Sequence, residues 1–129
     1  MAISDDLIIQ AIVRLASVPN TVMDPDALGE DVLLLAVAFP RDEEFLKAVI
    51  ATERAMIKVA KGSVASSPAL VGDHAGWISY HYQHCVTQGQ KADMRLEWRP
   101  CEQGILVRAF GHRFIPADFY RRISKSRKA

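Results

Sequence analysis

Two cysteines, Cys85 and Cys101, are all the thiol in this 129-residue chain, too few and too widely spaced for a disulfide framework. Any run of about 18 apolar residues is also missing. The longest apolar run, Val32 to Phe39, is far too short to span a bilayer. The opening stretch MAISDDLIIQ carries acids where a secretory signal would carry positive charge, so no export signal is read there. Together these absences make a cytoplasmic protein with reduced thiols and no membrane partner the expectation. No G-x-S-x-G elbow, P-loop or internal repeat occurs, which leaves nucleophilic catalysis without a motif.

What is present describes one globular domain. Half of the residues are hydrophobic and 24% are charged, the balance of a folded chain rather than a disordered one. At this length a single core buries roughly two-thirds of the unfolded surface without a metal or disulfide staple. The formal net charge of +1 hides a segregation: residues 1–60 hold ten carboxylates against five Lys or Arg, whereas residues 91–129 hold four against ten. A basic face that meets an anion, set beside an acidic remainder, is the physical reading of that split.

The chain divides by periodicity. Ser4-Asp5-Asp6 ahead of Leu7, Ile8, Ile12, Val13 and Leu15 predicts a capped helix over about 5–17, ended by Pro19-Asn20. Asp24-Pro25 opens a second element. Its apolar run at 31–39 has no usable period and reads as helix or buried strand; the dominance of Leu and Ala favours helix. Asp42-Glu43-Glu44 starts a third helix that Gly62 stops. Residues 63–76 are small, polar and broken by Pro and Gly, as in a long loop.

From residue 77 the period becomes two. Ile78, Tyr80 and Tyr82 share one face, as do Met94, Leu96 and Trp98, and Ile105, Val107 and Ala109. Ser79, His81, Gln83, Arg95, Glu97, Arg99 and Arg108 fall on the other. An antiparallel meander over 77–113 follows, with a dry face for the helices and a polar face. Pro116 is expected to begin a last, basic helix over 115–124 that packs through Ile115, Phe119 and Ile123. The fold class is therefore α+β: N-terminal helices on a three- or four-stranded antiparallel sheet, with a short C-terminal helix.

Guanidinium groups crowded on one face repel one another until an anion accepts their forked hydrogen bonds, and phosphate fits that geometry. Arg95, Arg99 and Arg108 project from the predicted polar face, while Arg113 and Tyr120 close one end. His81 and His112 titrate near neutrality and are candidates for proton transfer; Tyr120 is either a proton donor or a helix-packing side chain. Lys91, Arg99, Arg108, Arg121, Arg122 and Lys125 are candidate contacts to a nucleic-acid backbone. A metal site is not expected. His81 and His84, three apart on a strand, point to opposite faces, and His74, Cys85, Cys101 and His112 complete no ligand spacing.

The ordered segments GWISYHYQ, DMRLEWRP, CEQGILVRAFGHR and DFYRRI resemble the C-terminal half of RelE/ParE-superfamily toxins, over about residues 68–124. The resemblance implies a helical hairpin followed by a tryptophan-bearing strand, an Arg-Leu-x-aromatic strand, and an apolar strand ending in Gly-x-Arg before a tyrosine. In ribosome-dependent members, which cleave mRNA, such residues orient and activate the cut, and by position the roles fall to Arg95, Arg113 and Tyr120. Acid–base lysines of some members have no counterpart beyond Lys91, so His81 or His112 would substitute. RNA or the ribosome and an antitoxin-like protein are the implied partners, with no cofactor. Members that inhibit DNA gyrase cleave nothing, and a non-catalytic module, an immunity protein or a phage- or plasmid-encoded inhibitor, is the alternative. Family members place a strand before the hairpin, a position that 31–39 would fill if extended. The acidic N-terminal segment is expected to fold over the basic face.

Overall fold

A computed structural model describes residues 2–62 and 74–127. The elements run α1 (Asp5–Ala16), β1 (Thr21–Met23), α2 (Pro25–Ala38), α3 (Asp42–Ala60), β2 (Ile78–Tyr82), β3 (Met94–Cys101), β4 (Gly104–His112) and α4 (Phe119–Ser126). Local chemistry sets the helix starts. The Leu7 N–H donates to Ser4 Oγ and the Ala27 N–H to the Asp24 carboxylate, each satisfying a first-turn donor. Arg41 offers α3 no side-chain cap, but Asp42, Glu43 and Glu44 face the positive end of its dipole. Residues 31–39 are helical up to Ala38: Asp24 caps, Pro25 is preset for the first turn, and the Leu- and Ala-rich run keeps the helix going.

The sheet has four strands in the order β1-β4-β3-β2. β2, β3 and β4 form the expected antiparallel meander, but β1 lies parallel to β4, with Thr21 opposite Ile105 and Met23 opposite Val107. The sheet is thus mixed rather than antiparallel throughout. The strand ahead of the helical hairpin is Thr21–Met23, not 31–39. Its docking depends on a close approach. The Ile105 N–H donates to the Asn20 carbonyl at 3.0 Å, and a Cβ on Gly104 (φ 129°) would collide with that same carbonyl.

α1, α2 and α3 cover one face, where Val32, Leu35, Phe45, Val49 and Met56 bury against Met94, Leu96, Val107 and Phe110. α4 covers the other, seating Phe119 and Ile123 on Ala109. This corrects the predicted facing of β4. Glu97 pairs with Ala109 but Trp98 with Val107, so Arg108 is an extra residue in a β-bulge. Beyond the bulge the alternation shifts by one, sending Phe110 rather than Ala109 into the main core.

Two further expectations change. α4 starts at Phe119, where Asp118 accepts from the Arg121 N–H, not at Pro116; Ile115 is 41% exposed and packs no helix. Acidic α1 packs on α2 and α3, on the sheet face opposite the basic one. The predicted 63–76 loop lies outside the described residues except for 74–76. Among the described residues no helix is long and apolar enough to cross a membrane.

Candidate anion site

Four of the five residues singled out for chemistry converge at one end of the α4-covered face. β2 contributes Ser79 and His81, β3 contributes Arg95 directly opposite His81, and α4 lays Tyr120 across them. The Tyr120 Oη stands 2.6 Å from Ser79 Oγ and 3.3 Å from His81 Nε2. The same phenol lies against the Arg95 guanidinium, and Arg113 acts on both Arg95 and His81 through its charge. Arg113 follows β4 directly. Its N–H donates to Asp93 O at 2.9 Å and its carbonyl accepts from Phe119 N, so the turn that positions it also starts α4.

Arg95 is only 7% exposed. Its Nη1 donates to the Ala92 and Met94 carbonyls at 3.0 and 2.9 Å, which fixes the fork, while its buried Nε has no hydrogen-bond partner among the described residues. A cation held by carbonyls and a phenol, with no carboxylate in an ion pair with it among the described residues, keeps most of its positive field. Among the described residues neither Arg95, Arg113 nor His81 takes part in an ion pair. Partial burial lowers the His81 pKa, and the charges of Arg95 and Arg113 lower it further, so the ring is neutral near pH 7. The cluster offers two fixed guanidiniums, a neutral imidazole and a phenol, which together suit an oxyanion that gives up or takes on protons.

The other predicted residues are placed differently. His112 Nδ1 accepts from the N–H groups of Phe114 and Ile115 at 3.0 and 3.1 Å, so its lone pair holds a turn and is not available as a base. Arg108 is buried and donates to Glu97 at 2.9 Å; Arg122 donates to Asp31 at 2.9 Å. These two cations are neutralised within the chain and do not join a cationic surface. Arg99 is exposed at the far end of β3, its guanidinium 4.5 Å from the centre of the Trp77 ring. Lys91, Arg121 and Lys125 are exposed in the β2–β3 connection and on α4. The cationic face is therefore smaller than the charge count implies.

Several residues that matter here were not singled out in the sequence. Glu97, fully buried, also holds His74 Nδ1 at 2.9 Å, and His74 Nε2 lies 2.9 Å from Ser124 Oγ. These are the distances of a serine–histidine–carboxylate triad, but the Tyr120 carbonyl is also 2.9 Å from Nε2. A carbonyl only accepts, so Nε2 carries the hydrogen it donates there and cannot take the serine proton. The arrangement is a clip that ties α4 to the sheet. Asp31 is a second clip: it accepts from Arg122, Arg127 and the Phe110 N–H. Burial pushes its carboxyl up while the two arginines pull it down. A carboxylate heading an otherwise apolar run was the available signal for Asp31; nothing local marked Glu97 as buried. His84, far from His81 in role, sits between Asp93 and Glu44 at 2.5 and 2.8 Å, joining the β2–β3 connection to α3.

No protein-family model, no curated protein and no solved structure matches this chain.

Proposed function

We propose that this is a cytoplasmic RNA-binding protein of the RelE/ParE-toxin kind, which promotes attack of a ribose 2′-hydroxyl on the adjacent phosphate. The observation that carries the reading is the convergence of His81, Arg95, Arg113 and Tyr120 with no carboxylate in an ion pair with any of them among the described residues. His81, neutral at pH 7, takes the 2′-hydroxyl proton as the new oxygen–phosphorus bond forms. Arg95 and Arg113 stabilise the charge gathering on the non-bridging oxygens. Tyr120 gives its proton to the departing 5′-oxygen, leaving a cyclic phosphate and a 5′-hydroxyl. A strand ahead of the helical hairpin, β1 before α2 and α3, supports the reading as well.

The test is expression in a bacterial host followed by mapping of ribosome-bound message. Wild type is expected to arrest growth and leave new 5′-hydroxyl ends, with both lost in Arg113→Ala and Tyr120→Phe. The natural partner on this reading is an antitoxin-like protein that covers the arginines. A second reading, a non-catalytic protein-binding module such as an immunity protein or inhibitor, draws on the neutralisation of Arg108 and Arg122 by Glu97 and Asp31. A harmless wild type that captures a stable protein partner selects it.

A further inference from the structure

A groove of about 980 Å³ runs between α3 and β2, on the side of the sheet away from α4. β2 ends the sheet, and beyond it there is no further strand among the described residues to take its outward N–H and C=O groups. Such an edge is a template for another extended chain. The opposite wall is basic. Lys47, Arg54 and Lys58 recur at seven and four residues along one side of α3, with the small Ala51 and Ala55 between them leaving room for a backbone. Among the described residues no Asp or Glu lines the groove. Lys47 is bonded to Glu43 and Glu44, but Arg54 and Lys58 are exposed and in no ion pair among the described residues. Tyr80, half-buried and stacked on Tyr82, adds a flat apolar floor.

We infer that this groove receives an acidic, extended segment of a partner protein, which adds to the sheet alongside β2 with its carboxylates against Arg54 and Lys58. A single-stranded nucleic acid would satisfy the cations but has no main-chain pairs to exchange with an open strand edge, so the edge favours a peptide. The groove adjoins the arginine–tyrosine cluster at His81, which lines its edge, while Arg95, Arg113 and Tyr120 lie outside it. β2 thus borders two anion-directed surfaces that share His81.

The probe is a fluorescein-labelled pool of peptides with Asp or Glu at alternate positions and Val, Ile or Leu between, read by fluorescence anisotropy against the full chain. Binding is expected, with slowed amide exchange across residues 78–82. Arg54→Glu with Lys58→Glu, both at exposed positions, is expected to weaken it by at least about tenfold, a loss of about 1.4 kcal/mol. N-methylation of the peptides at alternate residues removes their donors and should abolish binding. Equal binding by the N-methylated pool, no binding by the parent pool, or oligouridylate RNA binding that depends on Arg54 and Lys58 in place of peptide binding each overturns the inference. Tyr120→Phe should leave peptide affinity unchanged, so failure here and failure of RNA cleavage are read separately.

Discussion

Asp31 and Arg122 stand 91 positions apart in the chain and meet at 2.9 Å, with the carboxylate fully buried. Arg127 reaches the same oxygen from the end of α4, and Glu30 accepts from Arg127 at 2.8 Å with a longer contact, 3.9 Å, to Arg122. The acidic half of the chain does reach the basic half, through α2 rather than α1. Removing the carboxylate takes the close acceptor from the largely buried Arg122 Nη1 and from the Phe110 N–H, while Arg127 keeps Glu30 at 2.8 Å. Asp31→Ala is therefore expected to cost about 3–5 kcal/mol in urea denaturation. Asp31→Asn, which still accepts hydrogen bonds, should cost less, and both should increase the protease sensitivity of α4.

Ser124 tests whether the His74–Glu97 pair is a clip or a catalyst. With Nε2 already donating to the Tyr120 carbonyl, Ser124→Ala removes one acceptor at a half-buried position. Stability should fall by about 0.5–1.5 kcal/mol, with RNA cleavage and esterase background unchanged. A loss of hydrolysis in Ser124→Ala with normal folding would make the pair a working base.

Thr52 and Tyr82 are expected to respond unequally. Thr52 Oγ1 donates to the Ala48 carbonyl at 2.8 Å, so at the 2.8 Å contact with Tyr82 Oη the phenol is the donor. Both groups are buried, and burial pushes the Tyr82 phenol well above its ordinary value. Tyr82→Phe deletes one hydrogen bond and leaves no donor stranded, for a cost of about 0.5–1.5 kcal/mol. Thr52→Val strands the phenol hydrogen and should cost about 1–3 kcal/mol, a difference that denaturant midpoints resolve.

His81 supplies the pH dependence. Its folded pKa lies below 6.5 because partial burial and the charges of Arg95 and Arg113 disfavour the imidazolium. The acid limb of RNA cleavage should accordingly have its midpoint below 6.5, with activity lost as pH falls through it. Between the folded and unfolded values the unfolded chain binds more protons, so this ring's contribution to stability declines as pH drops from 6.5 to the lower, folded value. Arg113→Ala removes a neighbouring positive charge, and the NMR titration of His81 should then move upward.

Much of the architecture was legible because it follows from local periodicity. Ser4, Asp24 and Pro25 marked helix starts, and alternation from Ile78 to Trp98 marked strands and faces, since a helix or strand presents its own residues at a fixed spacing. His81 and Arg95 came together because opposite positions on neighbouring strands share a face, and the turn after β4 and the first turn of α4 bring Arg113 and Tyr120 to them. Other features depend on contacts between distant segments and leave no local period. The parallel docking of Thr21–Met23 needs Gly104 beside Asn20, and the bulge at Arg108 is a matter of register between two strands.

Charge separates the two levels most clearly. Composition alone determined that the last third of the chain is cationic; it could not determine which cations remain available, because a guanidinium is neutralised by whichever carboxylate folding brings within reach. Tertiary packing assigned Arg108 to Glu97 and Arg122 to Asp31, left Arg95 and Arg113 without such partners among the described residues, and so reduced a broad basic face to a compact site beside Tyr120.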